Sequence, residues 1–274
     1  MKKIKLLAFI MLSQCAFSQI WVNSLEDAKK LAKSTNKFIM IDFNASWCKP
    51  CRQMESEFFS NEKFKPTLDK FIAVSIDIDS NRDLASFYSV QSIPNLKIID
   101  INGEVIHDVL GYDGAESSNK EFEGFPDNTE DLYENLVFKD KKNPSDEELL
   151  NLATSYQVLL QKSSNRAQKN FLSLSNIYYN KCIKKTKDAN IKEISELGRF
   201  FNSALTDSGN KVIKNLDISK ITPDNKSYAH YILAKAHYME KNKAEAEKNI
   251  GEIERINDQR WTPAAKALKA KYMQ

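Results

Sequence analysis

The chain has 274 residues, 42% hydrophobic and 28% charged, with 7 Gly and 7 Pro, a balance that excludes collagen-like, low-complexity and multi-span membrane chains. Its length allows one large or two small domains, and four Cys are too few for a disulfide scaffold. The formal charge of +3 falls to zero when Lys2, Lys3 and Lys5 are set aside, so a nucleic-acid partner has no electrostatic motive.

Those lysines precede an apolar run over residues 6–12 and the small-residue stretch Ala16-Phe17-Ser18, the three parts of a secretory signal. Cleavage is expected after Ser18, which removes residues 1–18 and places the mature chain in the periplasm or outside the cell. A second reading takes Cys15, after Leu12-Ser13-Gln14, as a lipid-modified anchor, and the bulk of Gln14 argues against it. The apolar run is too short to span a bilayer. No later stretch approaches about 18 apolar residues, so no transmembrane segment is expected in the mature chain.

Residues 19–141 alternate helical and strand patterns, which predicts an α/β layer architecture. A helix is expected over 24–37, with Ser24 as its N-cap and Leu25, Ala28, Leu31 and Ala32 on one face. Buried strands are expected over 38–43 and 71–78, then a helix over 82–88 and a strand over 96–101. Asn102-Gly103 signals a hairpin into a strand over 104–110. The polar stretch 111–126 reads as a surface loop, and 127–138 as a closing helix with Leu132, Leu136 and Val137 on its apolar face. A charged, Pro-ended segment at 139–144 marks the domain boundary.

Over 142–274 the strand patterns vanish, and apolar residues recur at helical spacing through Leu149, Leu152, Ala153, Tyr156, Leu159 and Leu160. This half is expected to be an all-helical array of hairpins. Residues 225–256, with Leu233, Ala234, His237, Ala246 and Ile250, weakly resemble a tetratricopeptide hairpin. Cys182 reads as a buried thiol, and His230 and His237 as packing or surface residues. The first half carries 14 Lys and Arg against 22 Asp and Glu, the second 23 against 15. Charges of −8 and +8 favour docking of one half on the other.

The chemistry is concentrated in Trp47-Cys48-Lys49-Pro50-Cys51, which follows the 38–43 strand and precedes a helical pattern through Met54, Phe58 and Phe59. Cys48 at a strand-to-helix junction meets unpaired backbone N–H groups and a positive dipole end, which stabilise a thiolate. Pro50 suits a first helical turn, and Lys49 and Arg52 add positive charge. The two-residue spacer brings Cys51 within reach of Cys48, so one thiol attacks and the other resolves. Two other uses of a C-x-x-C stay open: half of a zinc site, for which only Cys182 and three distant His remain as further soft ligands, and a purely structural disulfide.

The residues I-D-F-N-A-S-W-C-K-P-C-R followed by S-I-P-N-L resemble the thioredoxin family over about residues 20–138. The resemblance implies a thioredoxin fold and a redox-active Cys48–Cys51 pair that needs no metal or other cofactor. It implies that Asp42 is a buried carboxylate serving as proton acceptor, and that Pro94 is a cis-proline facing the pair. Ile93 then pairs its backbone with a bound substrate strand, Gly111 closes the last strand, and Trp47, Lys49 and Pro50 line the substrate-binding face. The stretch R-Q-M-E-S-E-F-F-S-N-E-K-F resembles secreted bacterial members related to periplasmic reductase domains of membrane electron-transfer proteins. Two positions depart from the family pattern: Lys49 replaces the common Gly between the cysteines, and Ser75 stands where a Lys is frequent near the buried acid.

The implied function is an exported thiol-disulfide oxidoreductase that reduces or isomerises protein or peptide disulfides and draws electrons from a membrane-bound donor. The alternative is a binding module whose helical half recruits a partner and whose redox pair is incidental.

Overall fold

The computed structural model describes residues 20–138, 141–206 and 208–273. The expected signal segment 1–18, its cleavage after Ser18 and the alternative anchor Cys15 lie outside the described residues, as do Lys139 and Asp140 of the expected boundary.

Five strands form one mixed sheet: β1 Ile20–Val22, β2 Phe38–Asn44, β3 Phe71–Asp77, β4 Asn95–Ile99 and β5 Val105–Leu110, in the order β1-β3-β2-β4-β5. The first three are parallel, β4 runs antiparallel to β2, and β5, antiparallel to β4, returns to the direction of the first three. In β2, residues 38–43 are all buried, and every residue of β4 is buried. Strands covered on both faces need continuous apolar runs rather than alternation, and the sequence supplies them.

Helix α1, Leu25–Thr35, starts where the Ser24 hydroxyl accepts a hydrogen bond from the Asp27 N–H at 3.1 Å and ends at Asn36 in the left-handed conformation. Its Ala28 and Ala32 face the sheet, small enough for close approach. Three short helices, α2, Lys49–Met54, α3, Lys65–Leu68, and α4, Arg82–Phe87, lie in the connections between the strands. Gly103, at φ +86°, makes the hairpin turn between β4 and β5.

Two expectations are corrected. The 111–126 stretch is not a loop throughout but holds helix α5, Ala115–Phe122. Its polar composition hides a sparse apolar face: Ser118 and Phe122 are buried one turn apart, and Phe125 follows, wholly buried. Phe122 meets Phe71 and Phe58 at ring distances of 6.1 and 6.2 Å. The closing helix expected over 127–138 is instead the four-residue α6, Leu132–Asn135, followed by a 3-10 turn. Thr129 N–H donates to the Asn36 carbonyl at 2.7 Å and Tyr133 Oη to the Lys37 carbonyl at 2.6 Å, pinning the segment across the end of β2. Val137, assigned to the apolar face, is exposed.

The second half is helical: α7 Asp146–Lys162, α8 Asn165–Lys185, α9 Ala189–Leu205, α10 Gly209–Asn215, α11 Lys226–Met239, α12 Lys243–Ile256 and α13 Trp261–Met273. A capping box between Ser145 and Glu148 starts α7. Helices α8 and α9 cross closely because Gly198 lies under the Tyr179 ring, where a Cβ would come within 2.3 Å of the ring. Helices α11 and α12 form the expected hairpin, packed through Ala234, Ala246 and Ile250.

The sheet and the first two helices of the second half, α7 and α8, share one apolar core, and the later helices pack around two further clusters. A single buried cluster runs from Ala28 to Cys182. At the joint, Phe171 of α8 lies 5.7 Å from Phe38 and 5.9 Å from Phe125 between ring centroids. Ion pairs of the expected sign sit at its rim, Arg166 with Glu121 and Lys162 with Glu130. Truncating Phe171 removes a fully buried ring from this joint, so Phe171→Ala is expected to lower stability by about 3–5 kcal/mol in urea titrations followed by circular dichroism. A loss under about 1 kcal/mol would show that the joint is not part of the common core.

Candidate active site

Where β2 leaves the sheet, the chain turns sharply: the Cys48 N–H donates to the Ala45 carbonyl at 3.0 Å, and α2 begins at the next residue. Cys48 is the N-cap, and its Sγ accepts from the Cys51 N–H at 3.2 Å. Pro50 occupies the first turn, where a missing N–H leaves no bond unmade. Helix α2 continues into a π turn, Glu55–Phe59, anchored by buried Phe58. The geometry expected from the C-x-x-C spacing is realised, and Cys48 and Cys51 are disulfide-bonded with their Cα atoms 5.3 Å apart.

Both cysteines are buried, within a small apolar collar of Ala45, Ile78 and Ile93. The Ile93-Pro94 bond is cis, and Gly111, at φ +82°, donates its N–H to the Pro94 carbonyl at 2.8 Å. Ile93 thus joins the loop before β4 directly to the redox pair. Trp47, 64% exposed, lies beside the collar and donates from Nε1 to Asp79 Oδ2 at 2.8 Å. Asp79 is itself held, because its N–H and that of Ser80 donate to Asp77 Oδ1. Lys49 is exposed, and Arg52 of α2 donates to the Ser46 carbonyl, closing the turn.

Asp42 lies on β2 in register between Ser75 of β3 and Leu96 of β4, only 6% exposed. Burial pushes its carboxyl from the ordinary 3.8 up to about 6; an Asn44 hydrogen bond opposes the rise and the Glu55 charge adds to it. Asn44 Nδ2 donates to Asp42 Oδ2 and to Ser75 Oγ, each at 2.7 Å.

All the sequence-derived site residues therefore have a described place: Cys48, Cys51 and Ile93 in the collar, Pro94 next to it, Trp47, Lys49 and Pro50 around the turn, and Asp42 on the strand that feeds it. Sequence reading passed over Asn44, Ile78, Glu55 and Asp79. Asn44 was detectable as the neighbour of Asp42 two residues along a strand, on the same face. Asp79 carries no local signal, since its partner Trp47 is 32 residues away. Among the described residues no group of three or more His, Cys, Asp or Glu could hold a metal, so the cysteine pair gains no further ligand for the zinc reading. Among those residues, too, no helix is long and apolar enough to cross a membrane.

The family model described as thioredoxin-like matches residues 20–100. Thioredoxin H4 of Arabidopsis thaliana is 33% identical over 97 residues, which cover 35% of this chain and 76% of the relative. Thioredoxin of Bacillus subtilis (strain 168) is 33% identical over 86 residues, covering 31% and 80%. The thiol:disulfide interchange protein DsbD of Campylobacter jejuni (strain RM1221) is 30% identical over 71 residues, covering 26% of this chain and 12% of the relative.

The raised Asp42 carboxyl has a consequence for stability. The folded protein holds this proton more tightly than the unfolded chain does, so stability falls as pH rises from about 4 to above 6, by at most about 3 kcal/mol. Asp42→Asn keeps the shape and cannot ionise. In parallel urea titrations it is expected to match the parent within about 1 kcal/mol at pH 4 and to exceed it by about 2–3 kcal/mol at pH 8. A difference that stays constant across that range would remove Asp42 as the buried titrating group.

Proposed function

From the premise that the chain belongs to the thioredoxin family and is a thiol-disulfide oxidoreductase, we propose that it is an exported enzyme that reduces or isomerises protein disulfides through Cys48-Lys49-Pro50-Cys51. The observation that carries this reading is the placement of Cys48 at the head of α2, with its Sγ already accepting the Cys51 N–H. A thiolate formed there meets a hydrogen-bond donor and the positive end of a helix.

In the proposed cycle the Cys48 thiolate attacks one sulfur of a substrate disulfide. A Cys48–substrate bond forms, the substrate S–S bond breaks, and the first substrate thiolate leaves and takes a proton from water. Cys51 then passes its proton to the Asp42 carboxylate and attacks Cys48 Sγ. The Cys48–Cys51 disulfide forms, the second substrate thiolate departs, and two electrons have moved from protein to substrate. A substrate strand lies along Ile93, which packs against the pair, with Trp47 and Pro50 flanking it.

Export rests on the order of charged, apolar and small residues at the N-terminus. Outside the cytoplasm no thioredoxin or glutathione system keeps thiols reduced, so repeated turnover needs electrons delivered by a membrane-bound donor. Likeness to the thiol:disulfide interchange protein supports a redox partner of that kind. The helical half, joined to the redox unit through α8, selects which proteins the pair meets.

Cys48→Ser is expected to abolish insulin reduction by the full chain, because no nucleophile remains. Cys51→Ser should accumulate a Cys48–substrate mixed disulfide, visible on non-reducing gels. In the reduced wild-type protein, alkylation against pH should show Cys48 titrating below the free-thiol value of about 8.5. If Cys51 reacts first, or if Cys48→Ser retains activity, the roles of the two cysteines are reversed or the redox pair is incidental.

A further inference from the structure

We propose that Asn44 is a positioning residue for the redox reaction: its side-chain amide holds Asp42 in the ionised form that accepts the Cys51 proton, with Ser75 fixing the amide in place. The inference rests on the reading of Asp42 as that acceptor and adds two residues to it.

Residues two apart on a strand share a face, so β2 brings Asn44 alongside Asp42. The amide nitrogen carries two protons, and two side-chain oxygens stand at 2.7 Å from it, Asp42 Oδ2 and Ser75 Oγ. A third and longer approach, 3.3 Å to the Asp42 carbonyl, keeps the amide over the same residue. Ser75 lies directly opposite Asp42 on β3, so the parallel register of two strands sets the spacing of the triad.

The surroundings show why such a donor matters. Asp42 is buried, and no cation pairs with it among the described residues. From β4 it faces Leu96, from β3 the neutral Ser75, and from the end of α2 the like charge of Glu55. Burial and Glu55 both favour the protonated acid, which cannot take a proton. A neutral amide that donates to the carboxylate works in the opposite direction, and the hydroxyl that accepts its other proton aims it.

The step so controlled balances as follows. The Cys51 S–H proton moves to an Asp42 oxygen, the Cys51 sulfur bonds to Cys48 Sγ, and the Cys48–substrate bond breaks. Its electron pair leaves with the substrate thiolate, which takes a proton from solvent.

The test uses the full mature chain, reduced, with dithio-bis-nitrobenzoate as substrate. The first coloured thionitrobenzoate leaves when Cys48 attacks and the second when Cys51 resolves, so the two steps are read separately. The Asp42 titration is followed independently by the 13C resonance of its carboxyl carbon. Asn44→Ala is expected to make Asp42 about a tenfold weaker acid and to slow the second release about fivefold near pH 6. The first release should not change, and the two proteins should converge by pH 9. Ser75→Ala should move both readouts the same way by less. Asn44→Asp, which keeps the shape if the alanine variant fails to fold, should move them further, because it replaces a donor with a like charge.

An Asp42 resonance that titrates unchanged in all three variants overturns the proposal. A shifted resonance with an unshifted second release overturns it as well, and places the failure in the assignment of Asp42 as acceptor rather than in the hydrogen bond.

Discussion

The molecule depends on one strand. β2 sits at the centre of the sheet, covered on both faces and hydrogen-bonded to β3 on one side and β4 on the other. Its register is therefore not free to slide, because a slip of one residue would turn Asp42 and Asn44 to the opposite face and bring Phe43 to theirs. One end of this strand, Phe38, is packed against Phe125 and Phe171 at the joint with the helices. The other end delivers Ala45 and Cys48 to the turn. The position of the redox pair is set by burial along the whole length of the strand, and the short turn needs only to finish the geometry.

What was legible in the sequence follows from the same physics. The strands announced themselves as apolar runs because both faces of the sheet are covered, and α1 did so through Ser24 and its two small buried alanines. The redox pair was legible because its spacing and its strand-to-helix setting are local. α5 was not, because one serine and one phenylalanine, Ser118 and Phe122, are the whole of its buried face and most of the helix is polar. The closing helix was overestimated because Leu132, Leu136 and Val137 have helical spacing, whereas two hydrogen bonds to the end of α1 and the start of β2 decide the path of the chain. Asp79 and Glu55 stayed hidden for a different reason. Their importance lies in which element passes over which, and a linear pattern holds no record of that.

The joint between the halves shows how magnitudes order the contributions. Exposed ion pairs such as Lys162 with Glu130 contribute from nothing to about 1 kcal/mol each. A buried aromatic ring contributes several times that, and three meet at Phe38, Phe125 and Phe171. The opposite charges of the halves are consistent with the way they face each other, but the attachment is apolar. Polar groups also meet across it: Asn170 meets His107 Nδ1 at 3.1 Å, and Asn135 donates to Ser155 at 2.8 Å. Helices α7 and α8 thus continue the core of the sheet, and the helices after them pack around separate apolar clusters.

The three tryptophans are distributed so that each reports on a different part of this architecture. Trp21 lies on the edge strand with its ring against Phe59, edge to face at 5.1 Å. Trp261 is stacked on Tyr228 at 4.4 Å in the far helical cluster. Trp47 stands largely in solvent beside the disulfide, a neighbour that quenches indole emission. Opening and closing of the cysteine pair should register in Trp47 while the other two stay silent, and loosening of the distal helices should register in Trp261 alone. Replacing two of the three with phenylalanine would turn the unmodified backbone into a set of local optical gauges, each reading one region without an attached dye.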